Sequence, residues 1–425
     1  MLDHKEILDL RSKHLGPSLS VSYDEPLHIV RGEGQYLFDA KGNRYLDCVN
    51  NIQHVGHCHL KVIEAAQQQY KKLNTNTRYL DETIVNYAKD ITSTLPDGLE
   101  VCFFANSGSE ANDLALRLVR QFTGDKATIV LDGAYHGNLF SLIEISPYKH
   151  NGPGGNGSPD FVYTLPTPDS FRGKYKGEDC GKKYAQEVQA AINEIQQKGK
   201  KVSTFIAEAL MGCGGQLILP KGFLKKAFEL VRAAGGVCIA DEIQIGFGRV
   251  GSHFWGFETH GVIPDIVTMG KSMGNGHPLS AVVTTQEIAD SFNNGMEYFN
   301  SFGGNPVSCA VGQAVLDVIK EEGLQENALE VGSYLLNQLK NLQNQHDLIG
   351  EVRGRGLFIG IELVKDALVP AAAEAQTIVN QMKDKGLLLS TDGPDHNVIK
   401  IKPPLVFNKK NADELVKKID ETMSE

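Results

Sequence analysis

The chain has 425 residues, 41% of them hydrophobic and 22% charged, with a formal net charge of −10; this is the balance of a soluble globular protein with room for a large domain and a smaller one. An acidic surface argues against nucleic acid or an anionic membrane as partner and leaves at most a local basic pocket for an anion. No run reaches the length of a membrane span, and the start LDHKEILDLRSKH lacks the apolar centre of a signal peptide, so a cytoplasmic location is expected.

The seven cysteines, Cys48, Cys58, Cys102, Cys180, Cys213, Cys238 and Cys309, form no Cys-x-x-Cys pair and read as reduced packing residues. Along the chain, YLFDAKGNRYLDC within residues 29–49 places two short apolar stretches around an Ala-Lys-Gly-Asn turn, the pattern of a hairpin. HVGHCH, from His54 to His59, is too tightly spaced in a glycine-containing loop to match a metal-ligand pattern, and no metal is expected there.

From about residue 60 the pattern changes. VCFFA (101–105), ATIVLD (127–132), TFIAEA (204–209), GVCIADE (236–242) and DIVTMG (265–270) are short apolar runs that read as buried parallel strands. Helical stripes lie between them, at Ala111, Leu114, Ala115 and Leu118 and at Leu224, Ala227, Phe228 and Val231. This alternation predicts an α/β fold. Gly152, Gly154 and Gly157 satisfy G-x-G-x-x-G, but Pro153 and Pro159 interrupt the loop and no helix follows, so no dinucleotide site is expected. After a long helix in GGNPVSCAVGQAVLDVIKEEG, the tail adds the strand signals GLFIGIELV and VIKIKPPLVF and a charged final helix. The expected organisation is a large domain over 56–310 and a smaller C-terminal domain over 311–425, which the N-terminal segment 1–55 joins.

In open α/β sheets ligands bind beyond the carboxyl ends of the strands, so the residues after each run carry the chemistry. ANSGSEAND opens a helix, and Gly108, Ser109 and its free N–H groups form a candidate phosphate cradle or, equally, a Ser-capped helix without a ligand. DGAYHG places Tyr135 and His136 after the next strand, where an aromatic ring can lie on a planar cofactor or serve the core. Glu208 and Asp241 close apolar strands, where a carboxylate needs a partner. Lys271 in DIVTMGKSMGNG is either a solvated lysine or a desolvated nucleophile that forms Schiff bases.

NSGSEAND, AYHG, ADEIQIGFGRVG, MGKSMGNG and SFGGNP, in this order and spacing, resemble the class III aminotransferase family of fold-type I pyridoxal-phosphate enzymes over nearly the whole chain. The resemblance implies a large, mostly parallel sheet domain with a smaller α+β domain, and pyridoxal 5'-phosphate as cofactor. Residue by residue it implies phosphate binding at Gly108 and Ser109, ring stacking by Tyr135, a ring-nitrogen partner at Asp241, Gln244 near the ring hydroxyl and Lys271 as the Schiff-base lysine, with Glu208 beside the cofactor. Ser301 stands where the family commonly has threonine, whose hydroxyl reaches the cofactor phosphate of a neighbouring subunit; a homodimer with its active site at the interface is implied.

Two departures bear on the reaction. Many transaminating members carry an arginine before Pro-Pro-Leu and a gating glutamate five positions after the strand carboxylate, where this chain has Lys400 and Cys213. Lysine is a point charge suited to tetrahedral phosphate, whereas arginine clamps planar carboxylates. VNNIQHVGHCH, LNTNTRYLDE, GKSMGNGHP and KIKPP together resemble the phospho-lyase branch, nearest to ethanolamine-phosphate phospho-lyase. The implied reaction releases acetaldehyde, ammonia and phosphate from phosphoethanolamine; transamination to a 2-oxo acid is the alternative. Lys400 and Arg78 are the candidate substrate-phosphate ligands. Arg78 and Arg353 are candidates for a substrate carboxylate, Arg353 lying in VRGRG, where a structural role competes. Lys402, two residues beyond Lys400, is expected on the opposite face.

Overall fold

The computed structural model describes residues 2–425. A seven-stranded sheet organises the chain, its strands lying side by side in the order Val101–Ala105, Ser280–Thr284, Ile266–Met269, Val237–Asp241, Val202–Ala207, Ala127–Leu131, Val162–Leu165. Five of these strands are the predicted apolar runs, built largely of Val, Ile, Phe and Ala, which suit a sheet covered on both faces.

Two strands escape the sequence pattern. Val162–Leu165 extends the sheet beside Ala127–Leu131. Ser280–Thr284 runs antiparallel to both its neighbours, so Val101–Ala105 joins the sheet only through antiparallel pairing, although it points the same way as the parallel set. The expectation of parallel pairing for VCFFA is corrected accordingly: its neighbour is a later strand that returns directly from Ile266–Met269.

Helices cover the sheet, and each predicted stripe faces the core. In Gly108–Thr123 the residues Ala111, Leu114, Ala115 and Leu118 are buried, as are Leu224, Ala227, Phe228 and Val231 in Phe223–Ala233. Among the described residues no helix is long and apolar enough to cross a membrane.

The chain ends build two further sheets. The predicted hairpin forms as Tyr36–Asp39 and Arg44–Asp47, flanked by Ile29–Glu33, and its far edge pairs in parallel with Leu387–Leu388 from the C-terminal part. Ile349–Arg355, Phe358–Lys365, Val398–Ile401 and Ser390–Asp392 make an antiparallel sheet. This sheet meets the turn between the short paired strands Leu210–Met211 and Leu217–Ile218, where the Arg353 guanidinium donates to Gly215 O and Gly393 N–H donates to Cys213 O at 3.1 Å.

The histidines of HVGHCH turn to separate tasks. His54 Nε2–H donates to Phe247 O at 2.7 Å and Nδ1 accepts from Arg249; His57 meets Asp47 and His59 meets Glu322. Burial, reinforced by the Arg249 guanidinium, pulls His54 down to about 3. It is a neutral packing group.

Candidate active site

The parallel strands end on one edge of the sheet, so residues that follow them meet there although up to 163 positions separate them. A cleft at this edge is lined by Gly108, Ser109, Tyr135, His136, Gly137, Glu208, Asp241, Ile243, Gln244 and Lys271. Seven of the eight residues named from the sequence as cofactor ligands are therefore brought together. Ile243 was missed. It lies two positions after Asp241 in the turn that follows the strand, where no periodic pattern marks it.

One end of the cleft is an N-terminal helix cradle. Ser107 caps the helix by accepting from Glu110 N–H. Gly108 and Ser109 N–H have no acceptor among the described residues. The Ser109 hydroxyl accepts from Asn138 N–H at 3.0 Å, which leaves its own proton free to donate. A Cβ on Gly108 would come within 2.7 Å of Ile243, and one on Gly137 within 2.7 Å of Ser109 Oγ, so the close approach requires glycine at both positions. Free N–H groups at the positive end of a 16-residue helix fit a phosphate.

At the other side Asp241, 4% exposed, is held by three donors. Its Oδ2 accepts from Asn112 Nδ2 at 2.9 Å and His136 Nδ1 at 2.8 Å, and its Oδ1 from Ile243 N–H at 3.2 Å. Asn112, from the second turn of the cradle helix, was not anticipated; its polar side chain in an otherwise apolar stripe was the available clue. A carboxylate fixed this way fits a protonated ring nitrogen. Tyr135 stands half-buried beside it with a face free to stack, its edge against Tyr148 at 6.2 Å.

Glu208 donates nothing and accepts from Gly212 N–H at 2.9 Å, while its Oε1 is buried without a partner. Burial first, then the neighbouring Asp241, push its carboxyl up to about 7. Burial in this way favours the protonated form of the carboxyl.

Lys271 follows Gly270, which packs tightly against Gly108: a Cβ there would lie 3.3 Å from Gly108 N. The lysine adopts φ +25°, a strained value for a residue with a side chain, and its amine has no hydrogen-bond partner among the described residues. Burial draws its pKa below the ordinary lysine value, Cys213 and Asp241 opposing and Lys400 reinforcing the shift. A desolvated, unpaired amine is a nucleophile and a base.

The remaining candidates lie elsewhere. Ser301 is on an exposed loop that Asn300 anchors by accepting from Gly303 N–H at 2.9 Å, and it does not line the cleft of its own chain. Arg78 is at the surface, paired with Glu297 and stacked on Phe299. Arg353 is buried and fully engaged by Glu351, Glu362 and Gly215 O; it is structural, not a free carboxylate ligand. Lys400 Nζ meets Asp392 Oδ2 at 3.3 Å and keeps 24% of its side chain exposed.

Lys402 overturns its expectation. Residues two apart in a strand share a face, so opposite placement would have needed an odd separation. The strand also ends at Ile401, and Lys402 turns beneath the cleft, where Nζ donates to Gln244 Oε1 at 2.9 Å.

The aminotransferase class-III family model matches residues 19–423. A Drosophila melanogaster protein described as alanine–glyoxylate aminotransferase 2-like is 52% identical, covering 98% of this chain and 86% of its own. A Caenorhabditis elegans ethanolamine-phosphate phospho-lyase homolog is 44% identical over 99% and 93% of the two chains. Among solved structures, a phospholyase from Arthrobacter in complex with phosphoethanolamine superposes with a TM-score of 0.94 at 41% identity, covering 98% of this chain and 99% of that one. Fold, cleft chemistry and these likenesses agree: the chain belongs to the class III aminotransferase family, whose pyridoxal-phosphate cofactor it shares.

Proposed function

We propose that this protein is a phospho-lyase that eliminates phosphate from a phosphorylated amine, with phosphoethanolamine as the favoured substrate. The observation that carries this reading is the charge beside the cleft: Lys400 stands where many transaminases hold an arginine, paired only with Asp392, and a second lysine, Lys402, lies close by with no carboxylate in ion-pair distance, while Cys213 replaces the gating glutamate. Cys213, at the glutamate position, adds no charge, because burial pushes its thiol up to about 12. An excess of point-like cations suits a dianionic tetrahedral group. The Arthrobacter neighbour, which is described as bound to phosphoethanolamine, supports the same substrate class.

In this reading the Gly108 and Ser109 N–H groups and the Ser109 hydroxyl would hold the cofactor's phosphate, Tyr135 and Ile243 would hold its ring, and Gln244 would meet its ring oxygen. When bound, the cofactor supplies an electron sink conjugated to the substrate amine. Asp241, oriented by His136 and Asn112, holds the proton on the ring nitrogen. Lys271 Nζ removes a proton from the carbon that bears the substrate nitrogen. The C–O bond on the adjacent carbon then breaks, phosphate departs with the bonding pair, and Lys400 holds its charge. Addition of one water to the remaining two-carbon fragment yields acetaldehyde and ammonia.

The protein acts as a homodimer in this reading, with Ser301 directed at the partner's cofactor phosphate and Arg78 on the same exposed rim. Transamination is the second reading, favoured by the aminotransferase description of the 52%-identical Drosophila relative. Incubation with a panel of phospho-amines, assayed for inorganic phosphate and aldehyde, alongside amino donors with keto acids, separates the two. Phosphate release without a keto acid supports elimination; turnover only with a keto acid overturns it.

A further inference from the structure

Lys402 is 2% exposed, yet no carboxylate lies within ion-pair distance of its ammonium among the described residues. Its backbone is pinned on both sides: its N–H donates to Cys48 O at 2.8 Å, and Arg249 donates to the following Pro403 O at 2.8 Å. The charged groups around it are Asp392 and Lys400 from the small sheet, Cys213 and Glu208 beyond the strand Val202–Ala207, and Lys271; the Phe358 ring lies 5.1 Å away. Burial pulls it down to about 7, with Lys400 and Lys271 reinforcing and Asp392 and Cys213 opposing. An unpaired buried amine destabilises a fold, so packing alone gives no reason for a lysine here.

Its one hydrogen bond gives the reason. Gln244 Oε1 receives Lys402 Nζ at 2.9 Å and Asn51 Nδ2 at 3.4 Å. Both partners are donors, so the amide oxygen must face them and the amide nitrogen must face away. Nε2 is thereby turned toward Gly212 and Cys213, with Sγ at 3.9 Å. A second observation concerns the room made for it. A Cβ at Gly212 would lie 2.5 Å from Gln244 Nε2, so any side chain there would expel the amide.

We propose that Lys402 is a positioning residue of the cofactor site: it fixes the Gln244 amide with its oxygen on Lys402 and its nitrogen toward Gly212 and Cys213, so that Gln244, which lines the cleft, offers an N–H donor and not an acceptor to an oxygen such as the cofactor's ring oxygen. Without Lys402 the amide can rotate and present its oxygen, which repels the same acceptor. The inference rests on the placement of the cofactor proposed above.

The test measures cofactor affinity of the full-length apoprotein for pyridoxal phosphate, the absorption spectrum of the holoprotein and the melting temperature of the apoprotein, for Lys402→Met, Gln244→Ala and the double variant. Lys402→Met is expected to weaken cofactor binding about tenfold, the loss of roughly one hydrogen bond to a charged acceptor. It is expected to shift the bound cofactor's absorption and its pH midpoint, and to leave the apoprotein melting temperature unchanged or higher. The double variant is expected to bind no more weakly than Gln244→Ala alone, because the lysine acts through the amide. Unchanged affinity and spectrum, additive losses in the double variant, or a fall in melting temperature with an unaltered spectrum each overturn the proposal. Lys271→Ala separates this from the cofactor placement: if that variant loses the borohydride-reducible adduct while Lys402→Met is silent, only the present inference fails, whereas an adduct that persists removes the placement.

Discussion

Replacing Lys400 by alanine tests the reading that its amine holds the substrate phosphate. In the resting protein the quarter-exposed amine meets the buried Asp392 Oδ2 at 3.3 Å; solvent screens the lysine, and Asp392 keeps Gln216 Nε2 as a donor when the lysine is removed, so the pair contributes about 1 kcal/mol. In a chain of this size that corresponds to a melting shift of no more than about 2 to 4 °C. A charge-assisted contact to phosphate is worth more, roughly 1.5 to 3 kcal/mol, because the acceptor is ionised. The expected result is therefore a fall in kcat/KM of about 10- to 100-fold, mostly as a raised KM, with the melting temperature almost unmoved. Phosphate release from phosphoethanolamine at varied concentration, with a thermal scan of the same preparation, gives both numbers. The bound cofactor is retained as in the wild type, since Lys400 does not line the cofactor cleft. A variant that releases phosphate with unaltered KM refutes the assignment. A wild type that transaminates at normal rates and releases no phosphate from any phospho-amine refutes the elimination reading itself.

Lys271→Ala is expected to abolish borohydride trapping of the cofactor, seen as loss of the added mass on the intact protein. Asp241→Asn removes the group proposed to hold the ring proton and leaves His136 Nδ1 facing an amide; turnover is expected to fall by at least about two orders of magnitude, measured as initial phosphate release. Ser301→Ala is expected to weaken cofactor retention by about 1 kcal/mol or somewhat more on dilution and dialysis, and analytical ultracentrifugation is expected to show a dimer; a monomer with full activity contradicts the interface role. Glu208 has a folded pKa of about 7, raised from 4.5, so the native state binds the extra proton between those values and stability falls as pH rises through about 7. Lys402 has a folded pKa of about 7, lowered from 10.5, so its contribution has the opposite slope, rising from about pH 7 to 10.5. Chemical denaturation of the apoprotein against pH is expected to show the fall in stability from about pH 4.5 to about 7 flattened in Glu208→Gln, whose amide oxygen still accepts from Gly212 N–H.

The set of groups that meet at the strand ends was legible in the order of the residues. Gly108, Tyr135, Glu208, Asp241 and Lys271 each follow a short apolar run, and parallel strands deliver whatever follows them to one edge, so local pattern and chain order suffice. The hairpin turn and the buried helix stripes were legible for the same reason: their periods are properties of neighbouring residues. Other assignments depended on contacts that no local pattern encodes. The pairing of Val101–Ala105 with Ser280–Thr284 joins segments about 180 residues apart. Arg353 and Arg78 are both arginines near polar turns, and only the packed chain decides that one is consumed by Glu362 and Gly215 O while the other rests on Glu297. Lys402 is the plainest case: its partner Gln244 lies 158 positions earlier, brought to the same amine only when the chain beyond Val398–Ile401 packs against the turn that follows Val237–Asp241. A lysine's neighbours, and with them its charge, are decided by tertiary packing, because desolvation and field depend on what surrounds the group in space and not along the chain.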